Sequence, residues 1–179
     1  MNDREALLKA IEAAPDDADL YFVFADWLDE HGDAEATKYR CLGALLVNED
    51  DTAARAAYAD WLEQQGQYEE AERQYAWPAA KGYLMWLTDR AGRRVPYDAD
   101  APSDADPYED WVDRISYRRL LELGRRAAAD GSFHFFVGTD EWLCDELRKE
   151  PDKFWRAWAT VTGHALPKEF TPGGFSCGC

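Results

Sequence analysis

The sequence closes with Pro172-Gly173-Gly174-Phe175-Ser176-Cys177-Gly178-Cys179. Two thiols separated by one glycine, next to a terminal carboxylate, can chelate a soft metal such as Cu(I) or Zn, close into an easily reduced disulfide, or serve a modifying enzyme as substrate. Two sulfurs fall short of the four ligands of a closed zinc site, so a metal at Cys177 and Cys179 requires a second chain or another donor. A plain tail that happens to carry cysteine is the competing reading. Elsewhere the chemical signals are poor. His31, His134 and His164 stand in no metal-ligand or nucleophile motif; Cys41 and Cys144 fall inside helical patterns, and Cys144 is expected to be buried and inert. There is no glycine-rich phosphate loop, and paired carboxylates carry little information in so acidic a chain. The expectation is a protein that is not an enzyme.

The elements that carry these residues follow from a duplication. Phe24-Ala25-Asp26-Trp27-Leu28-Asp29-Glu30-His31-Gly32 returns 34 residues later as Tyr58-Ala59-Asp60-Trp61-Leu62-Glu63-Gln64-Gln65-Gly66. Aligning residues 10–40 with 44–74 gives nine identities, five of them within eight positions. A period of this size marks a helix-turn-helix unit that cannot bury its apolar face alone and must stack on a neighbour. Asn2 or Asp3 can cap a first helix with Ala6, Leu7, Ala10, Ile11 and Ala14 on one face, stopped by Pro15. Asp16-Asp17 and Asp50-Asp51 restart the chain, and Gly32 and Gly66 end the helices over about 18–31 and 53–65. Further helices are expected over 34–46, 68–77 and 79–90. In the last of these Trp86-Leu87 echoes the duplicated Trp-Leu, although the spacing to Gly92 is one residue too long.

The period, with Pro15, Tyr21, Ala25 and Gly32 in one copy and Ala59, Gly66, Tyr68 and Ala71 in the other, resembles a tetratricopeptide repeat. More closely, Pro15-Asp16-Asp17, the Phe24 to Glu30 stretch and Gly32-Asp33 resemble a short bacterial repeat-companion domain built around Ala-Asp-Trp-Leu. That likeness covers residues 5–75 and implies a fold rather than an activity. In tetratricopeptide units the first helix of each pair lines the concave face. Carried over, this places Asp19, Phe22, Asp26, Asp29 and Glu30, with Ala56, Asp60, Glu63 and Gln64 of the second copy, on an acidic groove suited to a basic protein or peptide. The competing readings are that these are solvated helix faces, that Asp26 and Asp60 hydrogen-bond a neighbouring helix, or that Arg114, Arg118, Arg119, Arg125 and Arg126 fill the groove from the same chain. Trp27 and Trp61 are expected as core anchors.

Residues 93–110, with prolines and alternating acids, are expected as an acidic linker, and 111–166 as a small helical domain. Within it Leu120, Leu121 and Leu123 fit one helix, Leu143 and Leu147 a second, and Phe154, Trp155, Trp158 and Val161 a third opened by Pro151. Phe133 to Val137 has strand character and must pair with something, the Val95 region or a second copy being the candidates. Residues 167–179 are expected as a flexible tail. Gly173-Gly174 before a short cysteine-bearing end is similar to enzymatically matured peptide precursors, which implies a modifying enzyme as partner. The fold class expected is therefore mainly α, a short tetratricopeptide-like repeat stack over 1–92 plus a small helical domain with one β-strand.

Charge bounds the partners. The chain of 179 residues carries a net charge of -16, with 20 acids against 8 Lys and Arg in residues 1–92 and 16 against 12 beyond. Nucleic acid and anionic membrane are disfavoured, because affinity for phosphates comes from Lys and Arg that neutralise them. The opening residues lack the basic start and apolar run of a signal peptide, and no run reaches the roughly 20 apolar residues needed to span a bilayer. A cytoplasmic protein with reduced thiols is the expectation.

Overall fold

Asn2, Asp17 and Asp51 each turn a side-chain oxygen onto the first amides of a helix. Asn2 Oδ1 accepts from Glu5 N at 2.8 Å, Asp17 Oδ1 from Asp19 N at 3.1 Å, and Asp51 Oδ1 from Ala53 N and Ala54 N at 3.0 and 2.9 Å. Each satisfies amides that have no partner inside the helix. In the computed structural model, which describes residues 2–91, 116–130, 135–136, 141–166 and 175–176, these caps open α1 (Asp3–Ala13), α2 (Ala18–Glu30) and α4 (Thr52–Gln64). Between and after them lie α3 (Ala36–Val47) and α5 (Tyr68–Ala91); α6 (Tyr117–Asp130), α7 (Glu141–Lys149) and α8 (Pro151–Thr162) follow. The described part of the protein is mainly helical.

The duplicated sequence makes duplicated backbone bonds. Asp33 N reaches Leu28 O at 2.9 Å, and Gln67 N reaches Leu62 O at 2.9 Å. Ala14 N to Ala10 O at 3.0 Å is likewise matched by Asn48 N to Ala44 O at 2.9 Å. Gly32 and Gly66 close the two turns at φ of 68° and 74°, a conformation that a Cβ would strain.

Phe24 stacks on Trp27 at 6.2 Å and Tyr58 on Trp61 at 6.2 Å, while the next turn inward buries Ala25 and Leu28, or Ala59 and Leu62. The pattern occurs a third time in α5, where Tyr83 stacks on Trp86 at 6.1 Å and Leu84 and Leu87 are fully buried. Trp61 is buried and donates from Nε1 to Ala34 O at 3.2 Å, whereas Trp27 is only half-buried, between Phe24 and His31.

Two compact units divide at Pro78, within α5 and earlier than the boundary expected near residue 92. The two helices expected on either side of Pro78 form one continuous helix. Proline in a helix interior costs about 3 kcal/mol or more. Burial of Ala71 and Trp77 before it, and of Leu84 and Leu87 after it, offsets that cost.

The second unit packs Leu84, Leu87, Leu120, Leu143, Leu147, Phe154, Trp155 and Trp158 into one core. Phe135 and Phe136 (β1) pair in parallel with Phe175 and Ser176 (β2), so the residues in question bridge to the C-terminal segment of the same chain. Phe175 is buried, lies edge-on to Phe154 at 5.7 Å and presents its carbonyl to Arg148 Nε at 2.9 Å. That position differs from the free tail expected over 167–179. The linker at 93–110 lies outside the described residues.

Candidate functional site

Asp19, Phe22, Asp26 and Asp29 recur at three and four along α2 and therefore share a side of it. That side is turned toward α3. Phe22 is half-buried against Gly43, where an added Cβ would sit 3.0 Å from the ring. One turn on, Arg40 of α3 donates from Nη2 to Asp26 Oδ1 at 3.3 Å and to Asp29 Oδ2. The Asp29 bond is the main cause that raises the guanidinium pKa further. The equivalent acid of the second copy, Asp60, accepts from Tyr75 Oη on α5. That bond, with the nearby Glu63 charge adding to it, pushes the phenol up to about 12. The duplicated acids thus serve as ties between consecutive helices. The ties are solvent-exposed, Asp26 being 75% and Arg40 46% accessible. Asp19, Glu30, Glu63, Gln64 and Ala56 are exposed as well.

The cations of the first unit are largely spoken for. Residues 1–78 hold 19 Asp and Glu against 6 Lys and Arg. Arg4 and Lys38 pair with Glu35, Arg40 with Asp26 and Asp29, and Arg73 with Glu70. Arg55 is buried and held by Gln74 Oε1 at 2.6 Å, Glu49 O at 2.7 Å and the Trp77 ring at 3.7 Å, with the charges of Glu49 and Asp50 close by. An excess of negative charge therefore remains on the surface of this unit. No protein-family model, curated protein or solved structure matches the chain. Its own geometry must carry the functional reading.

Of the arginines expected to compete for the acidic face, Arg125 and Arg126 pair with Glu122 on their own helix, Arg118 and Arg119 are exposed, and Arg114 lies outside the described residues. His31 stacks on Trp27 at 3.9 Å with Nδ1 2.7 Å from the Trp27 carbonyl, and His164 stacks on Trp158 at 5.3 Å. His134, Cys177 and Cys179 lie outside the described residues, so the soft-metal or modification site proposed for the two thiols has no geometry here. Cys144 is fully buried, and burial is the main cause raising the Cys41 thiol pKa, which disfavours the thiolate. Among the described residues no group of three or more His, Cys, Asp or Glu is placed to hold a metal ion, and no helix is long and apolar enough to cross a membrane.

Sequence reasoning did not find Arg40, Tyr75 or Arg55. The first two lie 14 and 15 residues beyond the acids they hold, a separation that has no periodic signature because it is set by the turn between two helices.

Proposed function

We propose that the chain is a non-catalytic helical module, a tetratricopeptide-like repeat of the repeat-companion type in its first unit, that docks a Lys- or Arg-rich protein or peptide segment on the acidic surface of that unit. The observation that carries this reading is that Arg4, Lys38, Arg40 and Arg73 are tied to a handful of acids and Arg55 is buried, while Asp19, Glu30 and Glu63 stand exposed beside the tied Asp26, Asp29 and Asp60. Carboxylates grouped on one unit accelerate encounter with a basic segment and select against acidic ones. Gln64 adds an amide at the end of the same helix.

The test is binding of a labelled lysine-rich peptide to the full chain by fluorescence anisotropy. Reversal at Asp19, Glu30 and Glu63 to Lys is expected to abolish binding, while the same change at Asp145, Glu150 and Asp152 of the second unit weakens it only through net charge. Equal loss from both sets removes the docking surface.

A second reading is supported by the seat of Phe175. The residue two before Cys177 is buried and clamped by Arg148 and Phe154, as a protein that presents Cys177 and Cys179 to a modifying enzyme or to Cu or Zn requires. Intact mass measurement of protein from its native host distinguishes a modified end from an unmodified one.

A further inference from the structure

Outside the acidic face, one concavity of the described surface gathers positive charge more strongly than the groove at Lys149, Glu150, Asp152, Lys153 and Arg156, where cations alternate with carboxylates. Ser116, Arg118, Arg119, Leu121, Glu122, Arg125 and Thr162 line a groove of about 480 Å³ between the start of α6 and the end of α8. Its polar groups are not equivalent. Ser116 Oγ is committed to Arg119 N at 3.2 Å, and Thr162 Oγ1 donates to Trp158 O at 2.8 Å. Glu122 is answered twice, by Arg125 at 2.7 Å and by Arg126 at 3.2 Å, and the Arg125 hydrogen bond is the main cause lowering its pKa. Arg118 and Arg119 have no carboxylate partner among the described residues, and both are exposed. Among the described residues that line it, three guanidinium groups stand against one carboxylate, a net positive charge in a chain whose formal net charge is -16.

From this arrangement we infer that the Arg118–Arg119 groove is a binding site for a small ligand bearing a phosphate or carboxylate group. A guanidinium fork matches both oxyanions bidentately and is less tightly hydrated than an ammonium, so arginine is the side chain expected where an oxyanion must be held in place. The volume lies within the range of roughly 300–1,000 Å³ typical of small-molecule sites. Leu121 and the aliphatic stems of the arginines supply apolar wall beneath the charges. The net charge of the chain argues for a small ligand over an acidic protein, because a macromolecule brings many charges into a repulsive field while a small anion brings few. At physiological salt that field is screened beyond about 8 Å, so the local arginines decide the outcome for a small ion.

The experiment titrates the full chain with inorganic phosphate, with citrate and with a ten-residue aspartate peptide, read by calorimetry and by the amide resonances of α6. Saturable binding of phosphate or citrate is expected, weakened by about tenfold or more in R118Q/R119Q, as loss of a charge-assisted hydrogen bond dictates. R156Q, an exposed arginine of α8 outside the groove, should leave it unchanged. The tighter of the two small anions names the chemical group. If the double variant loses helicity, R118K and R119K replace it, and each must weaken binding at an unchanged melting temperature. Absence of saturable binding, equal loss in R156Q, or capture of the aspartate peptide alone overturns the assignment.

Discussion

Arg55 donates from Nη2 to the carbonyl of Glu49 at 2.7 Å in the place that Tyr21 Oη takes against the carbonyl of Pro15 at 3.1 Å, one 34-residue period earlier. Both donors lie on the first turn of a helix and reach back six residues to the end of the preceding segment. The two side chains share no chemistry beyond an N–H or O–H at the end of a long arm. What is repeated is the need of that carbonyl for a donor. In the second copy the arm is charged, and the surroundings provide for it: Gln74 accepts a second bond, the Trp77 face receives the guanidinium, and Gln74 in turn donates to Glu70 at 2.6 Å.

Replacing the two donors should therefore cost unequal amounts. Tyr21→Phe removes one hydrogen bond at an exposed site, for which about 1 kcal/mol or less is expected. Arg55→Met strands the Glu49 carbonyl and Gln74 Oε1 and ends the contact with Trp77, so about 2–3 kcal/mol is expected. Urea unfolding followed by far-ultraviolet circular dichroism measures both. Equal losses at the two positions would mean that burial of Arg55 adds nothing to its bond.

The duplicated unit was legible because its signals are local. Caps at Asp17 and Asp51, stops at Gly32 and Gly66 and burial at every third or fourth residue all lie within a few positions of one another. What joins the helices was not legible. Arg40 and Tyr75 reach Asp26 and Asp60 across a turn, and Arg55 reaches Gln74 nineteen residues on, at separations with no period. The helices expected over 68–77 and 79–90 are one helix, because the burial on both sides of Pro78 that offsets the local cost of proline is tertiary and leaves no local signal. The place of Phe175 was hidden for the same reason, its partners Phe154, Arg148 and Phe135 being contributed by three other segments.

Two glycines in helices should respond to alanine with opposite sign. A Cβ at Gly124 of α6 would lie 2.4 Å from Trp158 Nε1, whose hydrogen bond to Leu121 O at 3.0 Å ties α8 to α6. Gly124→Ala must displace that ring, with a loss of about 1–3 kcal/mol expected and a change in near-ultraviolet circular dichroism. At Gly82 of α5 an added Cβ meets nothing within 4 Å, so Gly82→Ala should gain about 0.5–1 kcal/mol through helix propensity. Loss at both positions would show that Gly82 also supports a close approach.

Arg40→Ala should cost little. Its bonds to Asp26 and Asp29 join side chains that are mostly exposed, and pairs of that kind contribute about 1 kcal/mol at most and fade with salt. The melting temperature is expected to fall slightly at low ionic strength and hardly at all in molar salt. A large, salt-independent loss would make Arg40 a packing residue.

Glu70 makes stability depend on pH in a definite direction. Partial burial raises its pKa, but hydrogen bonds from Arg73 and Gln74 outweigh that effect and hold it below the ordinary value. A carboxyl whose pKa is depressed on folding contributes fully above its unfolded pKa, and the contribution vanishes as pH falls through the folded one. The difference in urea midpoint between the native chain and Glu70→Gln should accordingly be largest near neutral pH and shrink below the ordinary carboxylate range. A difference that grows on acidification would refute the depressed value.

Truncations near the C-terminus should separate the seat of Phe175 from the thiols beyond it. Phe175 fills a core position between Phe154 and Arg148, and emptying such a position costs about 3 kcal/mol or more. Phe175→Ala, or removal of residues 173–179, is expected to lower the midpoint of the tryptophan fluorescence transition, because Trp155 and Trp158 belong to the same core. Removal of residues 177–179 alone deletes both thiols and leaves Phe175 in place, so the midpoint should hold while any metal uptake or modification is lost. If the shorter truncation destabilises the protein as much as the longer one, the thiols themselves belong to the fold, and their availability to a metal or an enzyme is excluded.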